Sequence, residues 1–204
     1  PDRVLTAMHR AAPDIYAREM DGLAAGLARD LKALAGCSGH VAMYISNGHG
    51  VWEAAGANLF SPGDRALVLA TGNFGHGWAE VMRGLGVEVE LIDFGRSTPV
   101  DAARVDEALA ADAAHALRVV AVVQTDTSTA VRNDIAAVRA AMDRAGHPAL
   151  LAVDGVCSFG CERFEFDTMG VDVFVSACQK GLMVPPGLGF VFFSDKAAEA
   201  GRGA

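Results

Sequence analysis

Positive charge is scarce in this chain. Its 17 lysines and arginines are outnumbered by 25 aspartates and glutamates, leaving a net charge of −8, so neither nucleic acid nor an anionic membrane surface is expected as a partner. The four cysteines, Cys37, Cys157, Cys161 and Cys178, make no C-x-x-C pair and no metal-like spacing with histidine, so no metal site is expected. They read as reduced core or pocket thiols of a cytoplasmic protein. No basic-then-apolar stretch opens the chain, and the run from Gly181 to Ser194 is broken by Pro185, Pro186 and three glycines. It is not a membrane span. Internal repeats, charge blocks and low-complexity linkers are also missing. What is present, 204 residues with 51% hydrophobic content, suffices for one well-buried α/β domain.

Hydrophobic periodicity alternates between strand and helix, as in a mainly parallel sheet. It predicts a helix over 15–34, a strand at 41–45, a helix at 50–60, a strand at 66–70 and a helix at 76–85. A strand at 87–92, a helix at 101–114, a strand at 118–124 and a helix at 134–145 follow. Strands at 149–153, 171–175 and 189–193 complete the pattern, with no helix between the last three.

One lysine stands out by position. The apolar run Val171-Asp172-Val173-Phe174-Val175 leads into Ser176-Ala177-Cys178-Gln179-Lys180, and Pro185-Pro186-Gly187 then forces a turn. A lysine there points into a pocket at a strand's carboxyl end, where desolvation favours the neutral, nucleophilic amine of a Schiff-base lysine. Taken alone, Lys180 also reads as an ordinary surface lysine. Asp154 ends a second apolar run, Ala149-Leu150-Leu151-Ala152-Val153, and so brings a carboxylate to the edge where α/β proteins bind ligands. Alone it reads equally as a turn or a cap. Together they match the needs of pyridoxal 5'-phosphate: a lysine to hold the aldehyde and a carboxylate to keep the pyridine nitrogen protonated.

A phosphate cradle is available at Ser46-Asn47-Gly48-His49-Gly50-Val51-Trp52-Glu53, where an apolar stretch runs through glycines into a helical pattern. Free amides at a helix N-terminus bind anions. A hairpin reading fails because helix formers follow. A dinucleotide fingerprint lacks its third small residue, since Glu53 stands there, and no acid closes the following strand.

These segments, in this order, resemble the class V aminotransferases of fold type I, with most similarity to the alanine-glyoxylate and serine-glyoxylate (serine-pyruvate) members. The resemblance implies a three-layer α/β/α domain whose mostly parallel mixed sheet carries one antiparallel strand. It implies that Lys180 forms the Schiff base, that Asp154 pairs with the pyridinium nitrogen, and that Gly48, His49 and Gln179 hold the phosphate beside Asn47. Phe74 matches the aromatic that stacks on one face of the ring, and Val156 would cover the other. The segment Gln124-Thr125-Asp126-Thr127-Ser128-Thr129-Ala130 resembles the loop Glu-Ser/Thr-Ser-Thr-Gly and places Thr127 near the ring hydroxyl. Asp126 is shorter than the usual Glu, and Ala130 replaces Gly. Phe74 alone would be a core anchor, and His76 beside it a solvated loop residue.

The implied reaction moves an amino group from serine or alanine to glyoxylate or pyruvate. Another class V member, such as a cysteine desulfurase, is an alternative, although those usually carry His where Gln179 stands. A catalytically idle cofactor-binding module is a third. The resemblance further implies that residues 1–204 are the cofactor-binding large domain, truncated at both ends. The small carboxyl-terminal domain, with the arginine that grips the substrate carboxylate, would be absent. Arg3, Arg132 and Arg163 carry no mark of a replacement, and a homodimer is expected from the apolar surface left uncovered.

Overall fold

The computed structural model describes residues 1–14 and 16–204. Ile15, where the first helix is expected to begin, lies outside them. The chain runs through α1 (Asp2–Met8), α2 (Arg18–Ala35), β1 (His40–Ser46), α3 (Gly48–Leu59), β2 (Arg65–Ala70), α4 (Asn73–Gly84), β3 (Glu88–Asp93) and α5 (Ala102–Ala111). It continues through β4 (Leu117–Val123), β5 (Thr125–Asp126), β6 (Val131–Arg132), α6 (Ile135–Arg144), β7 (Leu150–Asp154), β8 (Val173–Ala177), β9 (Gly187–Phe193) and α7 (Asp195–Gly201).

Seven strands form one sheet in the order β1-β9-β8-β7-β4-β2-β3. β9 is antiparallel to both its neighbours, and every other pairing is parallel. Two reversals cancel, so β1 points the same way as β8, β7, β4, β2 and β3. All six therefore deliver their carboxyl ends to one edge, where ligands bind in open α/β sheets. β5 and β6 pair separately as a two-residue ribbon just beyond β4.

The central strands are buried on both faces, which explains their nearly unbroken apolar sequence. Alternate residues serve opposite cores. Leu67, Leu69, Val120, Val122, Leu151 and Val153 pack in the core that includes residues of α2, α5 and α6. Ala66, Val68, Val119, Ala121, Leu150 and Ala152 pack in the one that includes residues of α3, α4 and α7. The result is the three-layer α/β/α arrangement with a mixed, mostly parallel sheet.

Several boundaries differ from the sequence expectation. β8 lies two residues later than 171–175, because Asp172 is spent on a connection: its carboxylate accepts from Leu151 N at 3.0 Å and from Ser194 Oγ at 3.2 Å. β9 begins at Gly187 rather than 189 and pairs from there with Ser46. α3 begins at Gly48 because Asn47 caps it. The short helices α1 and α7 and the β5–β6 ribbon have no counterpart in the periodicity. Of the cysteines, Cys37 and Cys178 are buried, but Cys161 is exposed, against the expectation of a core or pocket thiol. Among the described residues no helix is long and apolar enough to cross a membrane.

Phe159, Phe164, Phe174 and Phe192 cluster beneath the end of β7, with the Phe164 and Phe174 rings stacked at 3.9 Å. A Cβ on Gly155 would overlap the Phe174 ring. Gly155→Ala is therefore expected to destabilise the fold by about 1–3 kcal/mol through overpacking, lowering Tm by about 3 °C per kcal/mol. An unchanged melting curve would show that Phe174 can move aside.

Candidate functional site

The carboxyl ends of β7 and β8, the N-terminal turns of α3 and α4, and the β5–β6 ribbon enclose a pocket of about 180 Å³. Every residue expected at the site lines it: Asn47, Gly48, His49, Phe74, Thr127, Asp154, Val156, Gln179 and Lys180. A larger hollow of about 300 Å³ between β1, α3 and α7 has neither a carboxylate nor a lysine in its wall. Of these two, it is the smaller that brings Lys180 and Asp154 together.

Asp154 is the best-defined of them. It is the last residue of β7 and is 2% exposed. Its Oδ1 accepts from Val156 N at 2.7 Å, and its Oδ2 accepts from Trp52 Nε1 at 3.0 Å. Burial pushes this carboxyl up to about 6; the Val156 amide and the Trp52 indole oppose that rise, and the charge of Asp126 adds to it. A buried carboxylate held on both oxygens, with no salt bridge among the described residues, is suited to pair with a cation.

Trp52 was not singled out by the sequence, because a tryptophan inside a helix reads as core. It is core, 2% exposed and stacked on Trp78 at 6.0 Å. Yet it follows Gly48 by one helical repeat, so it shares the pocket face of α3. Thr125 and Val123 also line the pocket, as does Cys157, in keeping with its expected place as a core or pocket thiol.

The cradle differs in detail from the expectation. Asn47 Oδ1 accepts from His49 N and Gly50 N, both at 3.1 Å, so these two amides are already satisfied by the helix cap. What is left for an anion at this end of α3 is the positive end of the helix dipole, the Gly48 amide and the side chains of His49 and Gln179. Gln179 Oε1 is buried without a hydrogen-bond partner. A carboxamide with spare hydrogen-bonding capacity in a pocket can serve a polar ligand, and its O and N are interchangeable by rotation. Space at position 48 is tight, since a Cβ there would come within 3.1 Å of Val156 Cγ2.

Lys180 follows β8 in a turn and lines the pocket, but it is exposed. The desolvation expected from its sequence setting is not supplied by the described residues. Phe74, in the first turn of α4, stands 6.3 Å from the Trp52 ring and 6.4 Å from the His49 ring. His76 lies outside the pocket wall, half-exposed against Asp93 at 3.2 Å. Arg132 and Arg163 pair with Glu162 and Glu165, and with Arg3 they are absent from the lining. Ala130 adopts φ 57°, the left-handed conformation that favours glycine. The loop it closes is nonetheless formed, with Ala130 N bonded to Asp126 O at 2.8 Å.

Comparison with known proteins gives the same reading. The family model Aminotransferase class-V matches residues 40–202. The chain is 45% identical over 171 residues to the L-aspartate–glyoxylate aminotransferase of Paracoccus denitrificans, covering 83% of this chain and 43% of that protein. It is 39% identical to the serine–glyoxylate aminotransferase of Methylorubrum extorquens, covering 100% of this chain and 51% of that one. An alanine–glyoxylate aminotransferase structure from Nostoc sp. superposes with a TM-score of 0.91 at 26% identity, covering 99% of this chain and 52% of that chain. The chain thus spans about half the length of the curated relatives it matches. With the family match covering most of its length, this chain belongs to the class-V aminotransferases.

Proposed function

We propose that this chain is the cofactor-binding large domain of a pyridoxal-phosphate-dependent aminotransferase acting on a small amino acid and a 2-oxo acid. The observation that carries the reading is the convergence of Lys180, buried Asp154 and unpartnered Gln179 on one pocket at the N-terminus of α3. Serine or alanine as donor and glyoxylate or pyruvate as acceptor remain the proposed substrates. The two relatives compared share glyoxylate and differ in the donor, aspartate or serine, which favours glyoxylate as acceptor and adds aspartate as a donor to try.

The residues present fit the cofactor. Gln179, His49 and the start of α3 would hold its phosphate, with Asn47 and Gly48 shaping the turn. Phe74 and Val156 would bound the ring, and Thr127 would meet its hydroxyl. Bound there, the cofactor supplies an electron sink for the charge that develops at the donor's α-carbon. Lys180 would hold the cofactor's aldehyde through its Nζ, and the same amine would be the general base for the proton on the donor's α-carbon. Asp154 would pair with the ring nitrogen's proton, and the Val156 and Trp52 donors fix its two oxygens.

A homodimer is also proposed. Ile45 on the edge strand β1 is 97% exposed, and Leu5, Met8, Leu23, Leu27 and Leu34 of α1 and α2 are exposed as well. Exposed apolar side chains of this kind are suited to association with a second copy.

The decisive test is an absorbance spectrum of the purified protein with added pyridoxal phosphate, repeated after adding serine, alanine or aspartate. A visible band that bleaches with a donor is expected. Absence of the band would remove the cofactor assignment, and sulfide released from cysteine would move the chain to the desulfurases.

A further inference from the structure

α4 carries Phe74 in its first turn yet has no cap of its own: Gly72 stands at the N-cap position without a side chain. The groups that a cap would satisfy are taken by a residue 52 positions away. Asp126, in β5, is fully buried at 0% exposure, and its Oδ2 accepts from Phe74 N at 2.9 Å and from Gly75 N at 3.2 Å. Its Oδ1 accepts from Ser128 N at 2.9 Å and from Ser128 Oγ at 2.6 Å. Ser128 Oγ in turn accepts from Asn73 N at 2.9 Å, and Thr129 Oγ1 donates to Thr71 O at 3.0 Å. The two segments interlock tightly. A Cβ on Gly72 would lie 2.5 Å from Asp126 Cγ and 2.7 Å from Ser128 Oγ.

We propose that Asp126 is a positioning residue that sets two walls of the cofactor pocket at once, orienting Phe74 through the N-terminus of α4 and Thr127 through the ribbon. The inference rests on the pyridoxal phosphate reading above. One oxygen fixes the amide of Phe74, and the other fixes the amide of Ser128, directly after Thr127; both Phe74 and Thr127 line the pocket. A carboxylate suits this place because all four of its partners are donors and it offers only acceptors. A carboxamide cannot do the same. Turned with its oxygen to Phe74 and Gly75, it presents N–H groups to the Ser128 amide, and turned the other way it opposes the α4 amides. The shorter side chain, relative to the glutamate of the resembling loop, matches the close approach of Gly72.

The test compares Asp126→Asn, Asp126→Glu and Ser128→Ala with the parent, measuring binding of pyridoxal phosphate and of inorganic phosphate by equilibrium dialysis. Visible circular dichroism of the bound cofactor and hydrogen exchange at the Phe74 and Gly75 amides of the cofactor-free protein complete it. Asp126→Asn is expected to weaken the cofactor about tenfold, as loss of a charge-assisted hydrogen bond does. It should also alter the dichroic band at saturation and speed exchange at both amides. Inorganic phosphate should bind as in the parent, because α3 and Gln179 are untouched. Asp126→Glu keeps the two acceptors but adds a methylene beside Gly72, so it should fall between the parent and Asp126→Asn. Ser128→Ala should weaken the cofactor about threefold in the same direction, and it serves in place of Asp126→Asn if that variant does not fold. Parental cofactor affinity and dichroism in these variants would overturn the proposal, as would equal weakening of cofactor and phosphate, which is the mark of a merely structural role. A parent that binds no pyridoxal phosphate would overturn the function proposed above instead, and amide exchange would then decide alone whether Asp126 holds α4.

Discussion

Lys180→Ala is expected to lower amine transfer by about a thousandfold or more, within the range for removing a general acid–base that also carries the covalent link. Cofactor should still be retained in part, because Asp154, Gln179, His49 and the N-terminus of α3 are unchanged. Borohydride reduction of the loaded parent should fix the label on a single tryptic peptide, the one containing Lys180. The other two lysines are otherwise engaged: Lys32 donates to Ser38 O at 3.2 Å and Lys196 to Ala149 O at 3.1 Å, and neither lines the pocket. Label on either of them, or parental transfer rates in the variant, would end the assignment.

Asp154→Asn is expected to keep the fold and some cofactor while losing about a hundredfold in the half-reaction rate. A carboxylate about 4 Å from a protonated ring nitrogen contributes roughly 4 kcal/mol at an effective dielectric of about 20, before desolvation is subtracted. Half of that already corresponds to about one and a half pKa units on the ring, enough to decide its protonation near neutral pH. The variant also has a pH signature. In the cofactor-free protein burial lifts this carboxyl from 3.8 to about 6, so the folded state binds a proton that the unfolded state has released. Stability contributed by that proton is full below the unfolded value, falls between about 4 and 6, and is gone above. The rise of about two units amounts to about 3 kcal/mol. Melting of the cofactor-free parent across that window should thus slope downward with pH more steeply than melting of Asp154→Asn. Parallel curves would show that the carboxyl is not so displaced.

The parts of this site that were legible in the sequence share a physical reason. Asp154 and Lys180 follow apolar strands buried on both faces, and a polar residue ending such a run must lie at the sheet edge. Gly48 and His49 were legible because glycines before a helix start leave a recognisable pattern. The rest depends on contacts that no local pattern encodes. Trp52 reads as core and is core, and only the third dimension brings its indole N–H to Asp154, 102 residues on. Asp126 looked like an imperfect copy of a glutamate. Its function as the cap of α4 depends on a helix in another part of the chain. Strand β8 was misplaced by two residues because Val171-Asp172 continue its apolar pattern, while the Asp172 carboxylate is committed to Leu151 N and Ser194 Oγ. The exposure of Lys180 was invisible for the same reason, since solvent access is set by what packs around a turn.

The chain's two tryptophans are both in one place: Trp52 lies stacked on Trp78 and hydrogen-bonded to Asp154, with Phe74 and His49 at its edge. The tryptophan emission of this protein therefore comes from Trp52 in the wall of the pocket and from Trp78 stacked on it. Any occupant that absorbs in the near ultraviolet will quench it by energy transfer, and ionisation of Asp154 will change the field on one indole ring. The molecule carries its own built-in reporter, and every titration of the site can be followed by its light without a label.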